Sequence, residues 1–556
     1  MALKLKQRVL LSALGATVAL VFLIQMNHFG ALVSLSQLER RLPTNTIHST
    51  NLLRRDIGDL QDSQVHLPVM RRDLDLSGYA SLEADARNLT DSRLLELVLN
   101  DRNLQKKGAI DGIIRIAHLL ESYKSKRRRN STSSDNSATV GRNGAERRRG
   151  PVSAEGDPSI GFLDPAVTER LSTIVHRMAA AHRKSKKRRG LQLSLYTKAA
   201  NASRLPAWKT FHNHISQYSL YDPKDPAIDE LLQDLVSQPI VKVYQHEGGT
   251  QLKLVFYLAN NARVMWKPHR FPRDRETLPN HFYFNDYERF NAEIAAYQLD
   301  RVLGLHRVPP TTGRLINMTQ DILRLADRKL AKTFFISPAG NVCFHGTCDY
   351  YCDTNHAVCG SPDLLEGSVS AFLPSTNVVE RTTWRHPWRR SYSKHRGAVW
   401  EKYDAYCDMV RTKPPYNTGR LLLDLMDMAV FDFFTGNMDR HHYETFEDFD
   451  NDTYPMILDN GRGFGKPLHD ELSNMAPIYQ CCLIRYSTLR RLLAIQQSQT
   501  PLSERMRQAL ARDKLAPILT DGHLAALDRR LNIVLQTLYN CILQHKASDV
   551  IVDDGF

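Results

Sequence analysis

Cysteine is missing from the first 342 residues, and all eight cysteines fall between Cys343 and Cys541. An even count confined to one region reads as a disulfide framework in an oxidising compartment. The competing arrangement, a metal site built from Cys343, Cys348, Cys352 and Cys359, lacks the paired short gaps of a zinc ribbon. No Gly-x-x-x-x-Gly-Lys-Ser/Thr loop occurs, no Gly-x-Ser-x-Gly elbow and no His-Glu-x-x-His. Their absence excludes a P-loop nucleotidase, an α/β-hydrolase nucleophile and a zincin protease. Aromatic residues are almost absent around the basic runs at Lys126 to Arg129, Arg147 to Arg149 and Arg183 to Arg189. Those runs sit among Ser, Asn, Gly and Pro, so the net charge of +14 describes a solvated linker and no nucleic-acid face.

What is present begins with an apolar run from Val9 to Ile24, preceded by Lys4, Lys6 and Arg8. At roughly 16–18 residues it is at the short end of membrane-spanning length. No small-x-small cleavage site follows it, so a signal anchor over 9–26 is expected rather than a removed signal peptide. The flanking charges predict a cytosolic tail at 1–8 and a lumenal body, a type II topology. Sequons at Asn88, Asn130, Asn201, Asn317 and Asn451 agree with a lumenal glycoprotein. Residues 27–199 read as a stem: apolar-periodic around Leu94 to Ile116, disordered over 124–160, and helical from Pro165 to Arg183. Basic runs in the lumen are also processing sites, so cleavage in the stem would release a secreted form.

A compact domain is expected over 200–550. Val241 to Tyr244, Gln251 to Leu258 and Arg263 to Lys267 alternate as strands, joined by Glu247-Gly248-Gly249 and Asn260-Asn261. From Leu421 onward the pattern is mostly helical, through Leu489 to Gln496 and Leu524 to Leu543. This is an α+β chain with an antiparallel-sheet lobe followed by a helical lobe.

The residues that bear chemistry lie at the element ends. Lys267 leaves the third strand where a lysine can reach nucleotide phosphates. Asn285-Asp286-Tyr287-Glu288 reads as a capping box for the next helix. On that helix Glu288 and Glu293 would stand about 140° apart, one facing the nucleotide and the other supporting it. Asp439 follows the apolar segment Leu425 to Phe434 and the breakers Gly436 and Asn437, where a rigid helix would carry a catalytic carboxylate able to align an acceptor hydroxyl. His441 and His442 are adjacent, cannot share one side of a strand or helix, and read as structural. Asp459 ends the short apolar stretch Met456 to Leu458 before Asn460-Gly461, a placement suited to phosphates and a divalent ion. Two carboxylates so placed, with a strand lysine, point to phosphoryl transfer.

Met438 to Phe446, Leu458-Asp459-Asn460-Gly461-Arg462-Gly463-Phe464-Gly465-Lys466 and Gln480-Cys481-Cys482 resemble the secretory-pathway kinases, the family with sequence similarity twenty. The Asp459 motif and Trp384 to Tyr392 look most like the Golgi casein kinase, or extracellular serine/threonine kinase, branch. The resemblance covers about residues 200–550 and implies an atypical protein-kinase-like two-lobed fold. It implies Asp439 as the catalytic aspartate and Asp459 as the residue binding both nucleotide and manganese. Gln251, Lys267, Glu444 and the hinge Ala371-Phe372-Leu373-Pro374 would contact nucleotide, and Glu288 would bind metal. It further implies the pairs Cys343–Cys359, Cys348–Cys352, Cys407–Cys481 and Cys482–Cys541. The implied reaction moves the γ-phosphate of ATP to serine in Ser-x-Glu sequences of secreted acidic proteins, with Mn2+ preferred and Mg2+ a substitute. The implied location is the Golgi membrane, and the implied partners are a second copy or a pseudokinase paralogue. Arg385, Arg389, Arg390 and Lys394 are candidates to read the acidic residue. Three rival functions are a xylosylkinase acting on glycan linkers, a non-catalytic activator of a paralogous kinase, and a lumenal lectin-like scaffold.

Overall fold

The computed structural model describes residues 163–182, 190–198, 204–248, 250–278 and 282–555. These lie within one unit, Ser153–Phe556. The expected anchor, the 124–160 linker, the three basic runs, Gly249 and the sequons Asn88, Asn130 and Asn201 lie outside the described residues. Among the described residues no helix is long and apolar enough to cross a membrane. The expected stem helix is present as α1, Pro165–His182.

Two short helices, α2 (Ala207–His214) and α3 (Pro226–Ser237), lead into the sheet. Strands β1 (Ile240–Gln245), β2 (Leu254–Leu258) and β3 (Arg263–Pro268) form the expected meander. The second strand begins at Leu254, later than Gln251, because Gln251 turns inward to hold another segment. Helix α4 (Phe290–Leu303) and strand β4 (Thr311–Asn317) follow. Then come the small-sheet strands β5 (Phe334–Ile336), β6 (Val342–Phe344) and β7 (Val358–Cys359), and β8 (Leu364–Ala371). The main sheet runs β1-β2-β3-β8-β4, antiparallel throughout. Its last two strands carry weaker alternation and escaped the sequence reading.

The capping box at Asn285 to Glu288 does not form. Helix α4 starts only at Phe290, with Arg289 at its cap and no side-chain capping bond, and Glu288 lies before it in the chain. The 140° argument therefore fails, because only Glu293 is on the helix.

Strand β9 (Arg381–Arg385) pairs with β10 (His442–Phe446) across the front of the second lobe. The second lobe is helical: α5 (Tyr406–Arg411), α6 (Leu421–Thr435), α7 (Ala476–Cys481), α8 (Tyr486–Gln496), α9 (Leu502–Leu510) and α10 (Asp521–Gln544). Helix α6 is buried along nearly its whole length, as its apolar run requires. Its two fully buried carboxylates need partners. Asp424 lies 2.6 Å from Arg307, 2.8 Å from Arg420 and 2.8 Å from Arg485, and Asp427 accepts from Thr488 at 2.6 Å. Four disulfides join the implied pairs and leave no free cysteine. Cys343 and Cys359 are directly opposite in register on β6 and β7. The stretch Met456 to Leu458 makes only a single bridge, Met456 to Glu444, in place of a strand.

Candidate functional site

Lys267 is next to last on β3, opposite Ser368 of β8. Its ammonium lies 2.5 Å from Asp459, 2.6 Å from Glu293 and 3.0 Å from Glu288. Three carboxylates around one buried cation decide the local electrostatics. Burial opposes the Lys267 charge, but Asp459, Glu288 and Glu293 override it and hold its pKa well above that of a free lysine. Burial likewise opposes Asp459, yet Lys267, Lys253 and Arg462 keep its carboxyl well below the usual range. Glu288 moves the other way: burial, then the neighbouring Asp459 charge, push its pKa up.

The surrounding backbone is built around these carboxylates. The Glu288 N–H donates to Gln251 Oε1 at 2.9 Å, while Gln251 Nε2 donates to the Asp286 carbonyl at 2.9 Å. Gln251 thus clamps the segment bearing Glu288. Across the cleft, a Cβ on Gly461 would come within 3.0 Å of the Glu288 Cβ, so the close approach of these two segments needs glycine. Asp459 itself takes a left-handed φ of 54°. Its side chain is 57% exposed, reached by solvent along the cleft although surrounding protein still limits its hydration, and the next N–H, that of Asn460, donates to Glu293 at 3.0 Å.

Asp439 is delivered as expected. Helix α6 ends at Gly436 with φ 68°, and Asn437 Oδ1 accepts the Asp439 N–H at 2.9 Å. The carboxylate touches His441 Nε2 and lies 2.7 Å from Arg462 Nη1. Of the two histidines read as structural, only His442 points away, exposed on β10. His441 is buried beside Asp439, stacked on Tyr392 at 4.2 Å and 3.2 Å from the Tyr283 hydroxyl. Neither His441 nor Arg462 was selected as a site residue from sequence. Adjacent histidines gave no face, and an arginine inside a motif gave no spacing signal. Arg440 ties the two acidic loops together, pairing with Asp432 at 2.8 Å and donating to Asn460 Oδ1 at 2.8 Å.

Glu444 lies on β10, away from the Lys267 cluster in the hydrogen-bond network, and pairs with Arg381 at 2.8 Å. Arg381 in turn donates to the Pro374 carbonyl at 2.8 Å, which links Glu444 to the segment Ala371 to Pro374. That segment, expected from the resemblance to form a hinge, follows β8. Its Phe372 carbonyl accepts from His212 Nε2 at 2.8 Å. Burial lowers the His212 pKa to about 4, so the ring is a neutral donor.

A cavity of about 410 Å³ opens beside Asp439 and carries a surplus of cations: Arg390, Lys394, Arg396, Arg462 and Lys466 all line it. Of the four arginines and lysines picked from sequence as readers of an acidic residue, Arg390 and Lys394 line this cavity. Arg385 is instead exposed on β9 opposite His442, and Arg389 does not line the cavity. Arg390 is already committed, donating to Ser473 at 2.6 Å and Asn474 at 2.8 Å. Asn451 is exposed, whereas Asn317 is half-buried and accepts the Gln320 N–H.

Among the described residues no three His, Cys, Asp or Glu side chains are preassembled around a metal position. Glu288 and Asp459 are nonetheless hard oxygen donors that both face the Lys267 ammonium, and buried Glu288 Oε2, 3.0 Å from that ammonium, has no other partner. Sites for Mg2+-like ions commonly use one or two carboxylates completed by substrate phosphates, and these residues fit that pattern.

A family model described as Fam20C, the Golgi casein kinase C-terminal region of Fam20, matches residues 206–550. The Drosophila melanogaster extracellular serine/threonine protein CG31145 is 55% identical over 64% of this chain and 67% of its own length. The human extracellular serine/threonine protein kinase FAM20C is 52% identical over 63% of this chain and 60% of its own. This chain therefore spans about two-thirds or less of these relatives. The crystal structure of the Golgi casein kinase with Mn/ADP bound superimposes with a TM-score of 0.67 at 40% identity, covering 72% of this chain and 96% of that one.

Proposed function

This chain belongs to the Fam20 kinase family, and from that premise we propose that it is an active secretory-pathway serine/threonine protein kinase. The observation that carries the reading is the buried Lys267 with Glu288, Glu293 and Asp459 around it, set across the cleft from Asp439. The pseudokinase paralogue, by resemblance, lacks an acid at the position of Glu288; this chain has one, correctly buried, which supports catalysis.

In this reading Lys267 binds the ATP phosphates, and Ala371 to Pro374 cradle the adenine. Glu444 acts from the hinge side through Arg381. Gln251 contributes by fixing Glu288. Glu288 and Asp459 hold Mn2+, with Mg2+ a substitute; the ion's contribution when bound is to neutralise charge on the triphosphate. Asp439 aligns the serine hydroxyl and takes its proton. The serine oxygen bonds to the γ-phosphorus as the bond to the β,γ-bridging oxygen breaks, and ADP leaves. The cationic cavity beside Asp439 suits an acceptor with an acidic residue two positions after the serine, and Lys394, Arg396 and Lys466 line it without an ion pair among the described residues. Both relatives are named extracellular, which supports a secretory-pathway location. In this reading the kinase domain at 200–550 is lumenal, and the anchor at 9–26 in the Golgi membrane and release by cleavage rest on the sequence alone. A second copy or a pseudokinase paralogue remains the proposed partner.

The test is phosphate transfer by the full chain from labelled ATP with Mn2+. The acceptors are a Ser-x-Glu peptide, its Ser-x-Ala variant and a xylose-containing linker glycan. Labelling of the first alone is expected. Labelling of the glycan alone would replace the protein-kinase reading with the xylosylkinase one, and nucleotide binding without transfer would replace it with the activator.

A further inference from the structure

Arg462 is a strongly charged group in the cleft that the reaction as described above leaves unused. It follows Asp459 by three residues on a tightly held loop, where Gly463 N–H donates to the Asn460 carbonyl at 2.9 Å and Phe464 N–H to the Thr435 carbonyl at 2.6 Å. The side chain turns inward and is only 6% exposed. One end lies 2.7 Å from Asp439. Another N–H reaches Thr250, on the connection between β1 and β2, at a long 3.4 Å. The guanidinium carbon stands 5.0 Å from the Phe284 ring.

A guanidinium that serves only as a structural clasp has its donors filled, since each buried unmet donor costs about 1–3 kcal/mol. Arg462 does not meet that condition. Its Nε is buried with no hydrogen-bond partner, and Nη1 faces Asp439 as an ion pair without hydrogen-bond geometry. The unmet donors lie beside Asp439, the carboxylate that aligns the acceptor, on the loop that carries Asp459. Its charge also bears on Asp459. The group expected between Asp439 and Asp459 during transfer is the phosphoryl itself, planar and metaphosphate-like, with its negative charge spread over three oxygens.

We propose that Arg462 donates to the oxygens of the phosphoryl group in flight, as an arginine finger supplied within the chain, and in moving there releases Asp439 to the acceptor hydroxyl. Arg462 is thereby a catalytic residue. In the ligand-free protein it masks Asp439, and nucleotide carrying a γ-phosphate draws it away. The inference rests on the kinase reading.

The experiment compares wild type, Arg462→Ala and Arg462→Lys in three measurements. The first is calorimetric binding of Mn2+ with ADP or with a non-hydrolysable ATP analogue. Wild type is expected to prefer the triphosphate analogue. Arg462→Ala is expected to lose that preference, about tenfold, at unchanged ADP affinity. The second is turnover: Arg462→Ala lowers kcat by about 10³, the low end for an arginine finger, with little change in the KM for ATP. Arg462→Lys keeps the charge without the fork and remains impaired. The third is rescue: free guanidinium restores part of the Arg462→Ala rate and none of the Arg462→Lys rate. Turnover of Arg462→Ala within threefold of wild type overturns the proposal. So does an equal loss of ADP and analogue affinity with a lower Tm, which identifies a clasp. Absence of transfer by wild type defeats the kinase reading instead, and the binding comparison still judges Arg462.

Discussion

Glu288→Gln separates fold from function more sharply than any other single change in the cleft. The substitution keeps shape and removes one negative charge. Lys267 retains Asp459 at 2.5 Å and Glu293 at 2.6 Å, so its ammonium is not left unpaired. The Glu288 carboxyl has its pKa raised by burial and by the Asp459 charge, so its ionised form is the one the fold disfavours. Removing that charge should therefore leave the ligand-free protein as stable as wild type or slightly more so, within about 1 kcal/mol. Function should respond oppositely. Loss of one preorganised charge-stabilising group costs roughly 10²–10³ in kcat, or about 3–4 kcal/mol. The assay pairs thermal unfolding, with and without Mn2+ and ADP, with the phosphate-transfer rate. In wild type, ligand at about a hundred times its Kd adds about 2.7 kcal/mol of stability; in the variant most of this gain should disappear at the same concentrations. A variant that unfolds several degrees earlier without ligand, yet turns over within fivefold of wild type, would show Glu288 to be a counter-ion for Lys267 and nothing more.

Three further outcomes follow from the scaffold. Asp424→Asn leaves Arg307, Arg420 and Arg485 converging on an uncharged group inside the second lobe. It should cost about 3–5 kcal/mol, read by chemical denaturation, and a loss under 1 kcal/mol would refute the argument. Replacing Cys407 and Cys481 by Ser opens a bridge spanning 74 residues. The chain-entropy relation gives about 4 kcal/mol, read by chemical denaturation of the double variant against wild type under non-reducing conditions, and a loss under 1 kcal/mol would refute it. Asp300, fully buried, has its carboxyl pushed up from 3.8 to about 7, burial outweighing the N–H groups of Arg307 and Val308 and the Tyr221 hydroxyl. Between those values the folded state holds a proton that the unfolded state has lost. That contribution is complete below the unfolded pKa and is lost as pH rises toward 7, with a slope approaching 1.4 kcal/mol per pH unit. Wild type minus Asp300→Asn, compared at pH 5 and pH 7, isolates the slope; identical slopes would refute it.

Legibility in the sequence tracks how local the determining physics is. The β1-β2-β3 meander carries its own turns, at Gly248 with φ 81° and Asn261 with φ 63°, and was readable from composition. So was α6, because an apolar run broken by Gly436 and Asn437 has few other solutions, and so was Asp439 at its end. The even cysteine count and the gaps between cysteines pointed to disulfides over a metal site, but which cysteine pairs with which came from resemblance. What could not be read was contact between distant segments. β8 and β4 are placed by pairing across the sheet, β4 some 50 residues before β8 in the chain. Glu288 was put on a helix because local capping favoured it. The chain instead holds residues 286–288 extended, since the Gln251 amide and the Gly461 carbonyl offer hydrogen bonds that a cap at Asn285 would forgo. That tertiary preference brings a third carboxylate to Lys267. Arg462 illustrates the same limit from the other side: its loop was singled out for Asp459, but the direction of one arginine within it is set by Asp439, Thr250 and Phe284, contributed by three separate stretches of chain. Sites assembled between lobes are least visible in the sequence at the residues that join the lobes, and in this protein those residues are Arg462 and His441.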